Sequence, residues 1–223
     1  MSEDLRSRVK RLAAESTDGM SWFEDLYAAA NGELSQIPWA DRRPNRNLVT
    51  WLEREKPPTR GANHRALKTL VVGCGLGDDA ELLARWQFDV TAFDLSQTAI
   101  DWCKRRYPTS RVKYLQGDLF QPPAEWVGGW DFVFEAYTVQ PLPMTMRQRA
   151  LESVAALVAP AGRLLFITRG REESEETNGP PWPLTIDDLR VISDAGLSMQ
   201  SFEDYQDDEE PPIRRFRAVY ASA

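Results

Sequence analysis

Leu70–Asp94 reads LVVGCGLGDDAELLARWQFDVTAFD, and the reading of this stretch decides the fold. It starts with the apolar run Leu70-Val71-Val72, β-branched and too short for a helix, which predicts a buried strand. Gly73, Gly75 and Gly77 follow, alternating with Cys74 and Leu76. Next comes an amphipathic segment, with Ala80, Leu82, Leu83 and Trp86 on one side and Asp79, Glu81 and Arg85 on the other. That pattern predicts a helix. A second strand, Val90-Thr91-Ala92-Phe93, ends on Asp94. A strand, a glycine turn, a helix and a strand closed by an acid make a unit that binds an adenosine-bearing ligand. The glycines admit close backbone approach, and the acid accepts hydrogen bonds from ribose hydroxyls.

The acids say more about that ligand. Asp94 lies about 20 residues beyond Gly73, the offset at which a carboxylate reaches the ribose. The pyrophosphate fingerprint G-x-G-x-x-G would need glycine at position 78, where the chain has Asp78 followed by Asp79. Two carboxylates in a first helical turn suit the helix dipole but repel a phosphate docked there. A phosphate-free adenosine ligand with positive charge meets no such repulsion, and S-adenosylmethionine is such a ligand. A nicotinamide dinucleotide is the alternative.

The 223 residues read as a single domain, 1–223, with a helical N-terminal cap over 1–60. An α/β core covers 66–223 and includes an acidic, proline-rich loop at 168–183. A net charge of -7 argues against a nucleic-acid partner, which needs a basic footprint. No apolar run approaches membrane-spanning length, and MSEDLRSRVK holds no signal-peptide core, so no membrane association is expected. Cys74 and Cys103 suggest no disulfide framework, and a reducing cytoplasm is the expected compartment. With His64 the one histidine, no metal site is expected. Monomer and homodimer both remain open.

In the cap, Leu5, Val9 and Leu12 recur at helical spacing, and Ser21 is placed to cap a helix carrying Trp22, Phe23, Leu26 and Tyr27. Phe23 and Tyr27 are expected in the core. Trp22 and Trp39 are weighed as a lid, because a π face attracts a sulfonium by about 0.5–2 kcal/mol. Trp22 is assigned to the substrate pocket as well. Beyond Asp94, Ser96 caps a helix with Ile100, Trp102 and Cys103. A strand over Val112–Leu115 precedes Gly117-Asp118-Leu119-Phe120; there Asp118 can take the adenine amino group while Leu119 or Phe120 covers the ring.

The fourth strand, Asp131–Phe134, runs into Glu135-Ala136-Tyr137 and on to Gln140, at the carboxyl edge that lines the crevice of an open α/β sheet. A helix over 145–158, a turn at Pro160-Ala161-Gly162 and a strand over Arg163–Ile167 follow. Glu172–Thr177 is expected to be disordered. The stiff segment Gly179-Pro180-Pro181-Trp182-Pro183 reads as a wall of the substrate pocket, with Gln140 beside it. Thr185 caps a helix with Asp188 in the box position, and Gly196 ends it. Strands over Leu197–Tyr205 and Ile213–Tyr220 close the chain. Strand and helix alternate throughout, which predicts a doubly wound, mostly parallel α/β sheet.

The glycine turn, Asp94, Gly117-Asp118 and the strand from Asp131 to Glu135 resemble, in order and spacing, the class I S-adenosylmethionine-dependent methyltransferases. The resemblance covers roughly residues 68–170. It implies a Rossmann-like sheet of seven strands whose last strands form a reversed hairpin. Ile37-Pro38-Trp39, Gly73-Cys74-Gly75 with Asp79, and Gly179-Pro180-Pro181-Trp182 look like the thiopurine, halide and thiol methyltransferase group. By that resemblance Gly73, Gly75 and Gly77 meet the methionine part of the cofactor and Asp94 the ribose. Asp118 and Leu119 hold adenine, and Trp39 closes the site. Cys74, Asp79, Leu95 and Ser96 are expected beside these residues, as are Phe120, Glu135, Ala136 and Tyr137.

The implied reaction is methyl transfer to a small-molecule acceptor, with a thiol or other soft nucleophile as the first expectation. O- or N-methylation of a small metabolite is the alternative, and a binding module without turnover is the non-enzymatic one. The Asn/Asp-Pro-Pro-aromatic tetrapeptide of base-amine methylation is replaced by Glu135-Ala136-Tyr137-Thr138, which argues against that chemistry. Tyr137 and Arg169 are the catalytic candidates, as groups that steer the acceptor. Asp94, Asp118 and Glu135 together are expected to favour the cationic cofactor over its neutral product.

Overall fold

The computed structural model describes residues 3–222. The helices are α1 (Glu3–Glu15), α2 (Trp22–Ala30), α3 (Arg46–Glu55), α4 (Asp78–Arg85), α5 (Gln97–Arg106), α6 (Arg147–Ala156) and α7 (Ile186–Asp194). The strands are β1 (Lys68–Val72), β2 (Asp89–Asp94), β3 (Lys113–Gln116), β4 (Trp130–Ala136), β5 (Val158–Arg169), β6 (Leu197–Gln206) and β7 (Arg214–Ser222). They form one seven-stranded sheet in the order β3-β2-β1-β4-β5-β7-β6. β1, β2 and β3 pair in parallel, as do β4 and β5, while β7 runs antiparallel between β5 and β6. Buried parallel strands read as continuous apolar runs, and Leu70-Val71-Val72 is buried throughout. Residues cluster into two compact units, Met1–Asp118 and Leu119–Ala223.

In the first unit the glycine turn starts α4 directly. Gly77 takes φ 86 at the N-cap, and Asp78, Asp79 and Glu81 fill the first turn. Ser96 caps α5 by accepting from the Ala99 N–H at 2.9 Å, as its position predicted. Ser21 does not cap α2: its backbone is already helical and its side chain makes no cap bond. Asp18 orders the turn ahead of the helix, accepting the N–H groups of Met20 and Ser21 at 2.9 and 2.8 Å. The helical cap packs through Val9, Trp22, Leu26 and Tyr27 onto Ala99 and Trp102 of α5. A half-buried hydrogen-bonded clamp reinforces this: Glu24 accepts from the hydroxyls of Ser96 and Thr98 at 2.6 and 2.5 Å. Burial works against the Glu24 charge, yet these bonds hold its pKa below the usual carboxylate range.

In the second unit β5 is longer than its apolar run. The expected turn at Pro160-Ala161-Gly162 lies inside it as an irregularity, where pairing jumps from Trp130↔Val158 to Phe132↔Arg163. Ala161 has φ 58, and a side chain on Gly162 would meet the carbonyl oxygens of Ala159 and Trp130 at 2.8 Å. The helix expected over 145–158 is shorter, a 3-10 turn at Met144–Met146 leading into α6. The acidic segment expected to be disordered winds around Arg171, whose Nη1 reaches the carbonyls of Glu172, Glu173 and Glu175. At α7 the capping box is complete, with Thr185 and Asp188 each accepting from the other's N–H. Thr185→Ala is therefore expected to cost about 1 kcal/mol, read as a lower denaturant midpoint at unchanged slope.

Candidate functional site

Asp94, at the carboxyl end of β2, organises the glycine turn. Its Oδ2 accepts the Gly75 N–H at 2.9 Å and its Oδ1 the Ser96 N–H at 2.9 Å. A carboxylate oxygen has two lone pairs, so each still has capacity for a hydroxyl donor. Burial raises the Asp94 pKa, and the two backbone bonds oppose the rise. The turn itself is pinned by the Cys74 N–H on the Phe93 carbonyl at 2.8 Å and the Gly77 N–H on the Cys74 carbonyl at 3.0 Å. Gly73 and Gly75 have φ 59 and 52, conformations an L side chain rarely adopts. Leu95 accepts at its carbonyl from Gln116.

Trp39 and Tyr27 sit against this turn. A Cβ on Gly75 would lie 3.3 Å from the Tyr27 hydroxyl and 3.8 Å from the Trp39 indole. The Trp39 Nε1 donates to the Tyr27 hydroxyl at 2.6 Å, and the indole stays 39% exposed. Trp22 is different. It is 2% exposed, stacked on Phe23 at 3.9 Å, with its Nε1 on the Gly19 carbonyl. This places Trp22 in the core of the cap and corrects the expectation that it lines the substrate pocket. The two tryptophans look alike in sequence, and only packing separates them.

The paired acids after the turn take separate partners. Asp78 is bidentate to the Arg106 guanidinium at 2.9 Å and accepts from the Tyr107 hydroxyl. Its charge is thereby compensated, so the repulsion of phosphate argued from sequence does not come from Asp78. Asp79 accepts the Asn45 N–H at 2.6 Å, tying the start of α3 to α4. Burial pushes the Asp79 carboxyl up to about 7, with Asp78 and Asp41 adding to the rise. Gly117 lies flat against Phe93, where a Cβ would come within 3.1 Å of the ring, and it leads directly into the half-buried Asp118.

The second unit holds the remaining candidates. Leu119 is buried, and the Phe120 ring carries the Arg149 guanidinium at 4.7 Å. Glu135 is fully buried at the end of β4, ahead of the half-buried Ala136. Its Oε1 accepts the N–H groups of Thr138 and Val139 at 2.7 and 3.0 Å, while Oε2 has no partner among the described residues. Burial pushes the Glu135 carboxyl up to about 8, against those two bonds. In the ligand-free chain burial thus favours its protonated form at neutral pH.

Tyr137 takes φ 67, and the Arg215 guanidinium lies over its ring at 4.8 Å. Gln140, expected at the substrate pocket, is 6% exposed and acts as a pin. Its Oε1 accepts from the Arg169 N–H and the Thr168 hydroxyl, and its carbonyl from the Trp182 N–H. Pro181 and Trp182 are half-buried.

Arg147 was not singled out from sequence. It is 4% exposed, pairs with Asp188 at 2.8 Å and donates to the Trp182 carbonyl at 2.8 Å. The missed signal was position: Arg147 heads the apolar stripe Ala150, Leu151, Val154 of α6.

Among the described residues no His, Cys, Asp or Glu group is arranged to hold a metal ion, and no helix is long and apolar enough to cross a membrane.

Comparison with known proteins places these features in a family. The family model of thiopurine S-methyltransferase matches residues 31–221. The chain is 27% identical over 161 residues to a thiopurine S-methyltransferase of Vibrio parahaemolyticus, covering 65% of this chain and 72% of that protein. It is 27% identical over 195 residues to a probable thiol methyltransferase 2 of Arabidopsis thaliana, covering 85% and 78%. Among solved structures, a TehB-like SAM-dependent methyltransferase from Corynebacterium glutamicum superposes with a TM-score of 0.61 at 19% identity, covering 90% of this chain and 98% of that one.

Proposed function

This chain belongs to the thiopurine S-methyltransferase family and is an S-adenosylmethionine-dependent methyltransferase, and from that premise we propose that its acceptor is a small-molecule thiol. The observation that carries the cofactor assignment is the Asp94 carboxylate bonded to the Gly75 N–H, beside an exposed Trp39. Asp94 holds the ribose hydroxyls with its remaining lone pairs. Gly73, Gly75 and Gly77 admit the methionine end, and Trp39 covers it. Cys74, Leu95 and Ser96 shape the turn by backbone. Asp118 takes adenine, with Leu119 and Phe120 next to it in the chain, and Glu135 and Ala136 close β4 ahead of Tyr137.

The bound cofactor supplies a methyl group on a sulfonium, already a good leaving group. The protein's own residues then need to position the partners and exclude water, which is worth several orders of magnitude in rate. A thiol needs only to be ionised, so no strong general base is required. That agrees with the buried, bonded state of the acids described above.

Two measurements test the reading. Turnover with a panel of thiols, halide, phenols and amines identifies the acceptor; methylation of phenols or amines with no thiol turned over would replace the thiol by an O- or N-acceptor. Calorimetry with S-adenosylhomocysteine tests the cofactor site. Asp94→Ala is expected to weaken binding about 10- to 100-fold, the loss of charge-assisted bonds to two hydroxyls. Unchanged affinity would remove Asp94 from the site.

A further inference from the structure

The ends of β5 and β7 carry four arginines, and three of them have carboxylate partners. Arg214 pairs with Glu172 and Asp204, Arg215 with Asp207 and Glu209, and Arg217 with Glu203. Arg169, opposite Arg215 in the antiparallel register, does not. Its guanidinium makes no ion pair or hydrogen bond among the described residues, and its Nε is buried without a partner. Only its backbone is engaged, by Gln140, Thr168 and Leu184. A half-buried cation with no carboxylate in direct contact is costly, because desolvation is not offset by close pairing. Acids are plentiful in this chain, 34 against 27 basic residues. The nearby carboxylates of Asp207 and Glu209 are bonded to Arg215, which leaves the Arg169 guanidinium able to take an anion from outside the chain.

Its location says which molecule brings that charge. Arg169 is the last residue of β5, at the carboxyl edge where open α/β sheets bind ligands. The Gln140 pin fixes it next to the strand that bears Glu135 and Tyr137. Burial, with the neighbouring Arg215, lowers the Arg169 pKa, and Glu209, Tyr137 and Asp207 offset the fall only in part.

We propose that Arg169 receives a carboxylate carried by the methyl acceptor, so that the preferred substrates are thiols bearing an anionic group. Arg169 is a specificity-determining residue in this assignment, which rests on the thiol-methyltransferase reading above. Gln140 is its positioning residue, holding the Arg169 backbone through the Oε1 bond.

The test uses 3-mercaptopropionate, its amide and its methyl ester as acceptors. The wild type is expected to favour the acid in kcat/KM by about 10- to 100-fold, the worth of one charge-assisted pair. Arg169→Gln is expected to raise KM for the acid by a similar factor and to abolish the preference for the acid over the amide and the ester. Arg169→Lys is expected to restore part of the preference. Equal turnover of acid and amide by the wild type overturns the proposal. So does an Arg169→Gln defect spread evenly over all three acceptors. If no thiol is methylated, the thiol reading fails, yet the anion site is still tested by titrating propionate and propionamide into the protein saturated with S-adenosylhomocysteine. Propionate binding that is lost in Arg169→Gln supports the site; equal affinity for both probes, or no loss in the variant, overturns it.

Discussion

Gly77→Ala is expected to lower the unfolding free energy by about 2–5 kcal/mol, from a left-handed backbone and from overpacking together. The two causes are separable in this chain. Gly77 has φ 86, and a Cβ there would lie 2.6 Å from the Tyr114 hydroxyl and 3.1 Å from the Cys103 Sγ. Neither neighbour yields easily: Tyr114 is held by the Glu81 carboxylate at 2.8 Å, and Cys103 donates to the Gly75 carbonyl at 3.2 Å. Gly32 has nearly the same φ, 89, with nothing within 4 Å of a Cβ. Gly32→Ala therefore measures backbone strain alone, about 1 kcal/mol. Chemical denaturation of both variants gives the contact contribution by difference. Equal losses in the two would mean that the Tyr114 and Cys103 packing tolerates the methyl group.

The second large effect is on pH. Glu135 has its folded pKa raised from 4.5 to about 8 and Asp79 from 3.8 to about 7, both by burial. The folded protein thus binds more protons than the unfolded chain between about pH 4 and 8, and stability falls with rising pH across that window. Their favourable contribution is complete below pH 4, declines through the window and is lost above it. For the fully buried Glu135 the loss at pH 8 relative to pH 4 is about 3–5 kcal/mol. Asp18 and Glu24, with lowered pKa values, act in the opposite sense and weaken the fold only in acid. The melting temperature is expected to peak near the acidic end of this window and fall toward pH 8. Glu135→Gln keeps an acceptor for the Thr138 and Val139 N–H groups and cannot ionise. It should flatten the profile, matching wild type near pH 5 and exceeding it at pH 8. A variant with the wild-type slope would show that Glu135 ionises freely in the folded state.

Much of the fold was legible because it rests on short-range chemistry. The glycine alternation with its β-branched prelude, the Ser96 cap and the Thr185–Asp188 box each involve residues within a few positions of one another. Each appears where the sequence placed it. The failures share another cause. Ser21 was the expected cap residue, yet its backbone is already helical, and Asp18 instead takes the N–H groups of Met20 and Ser21 just ahead of the helix. The start of β5 was misjudged because its pairing with β4 tolerates an irregularity at Ala161 and Gly162.

For the candidate site, the sequence by itself determined the local apparatus: the turn at Gly73–Gly77, the acid at Asp94 and the strand ends at Asp118 and Glu135. Those follow from backbone conformation and spacing, which neighbouring residues set. The tertiary structure alone decided which charges survive. Asp78 is paired with Arg106, Glu135 is neutralised by burial, Trp22 is consumed by the core while Trp39 stays exposed, and Arg169 is left without a partner. Ionisation and pairing depend on how much water packing removes and on what distant segments bring alongside, and neither quantity is written in local sequence.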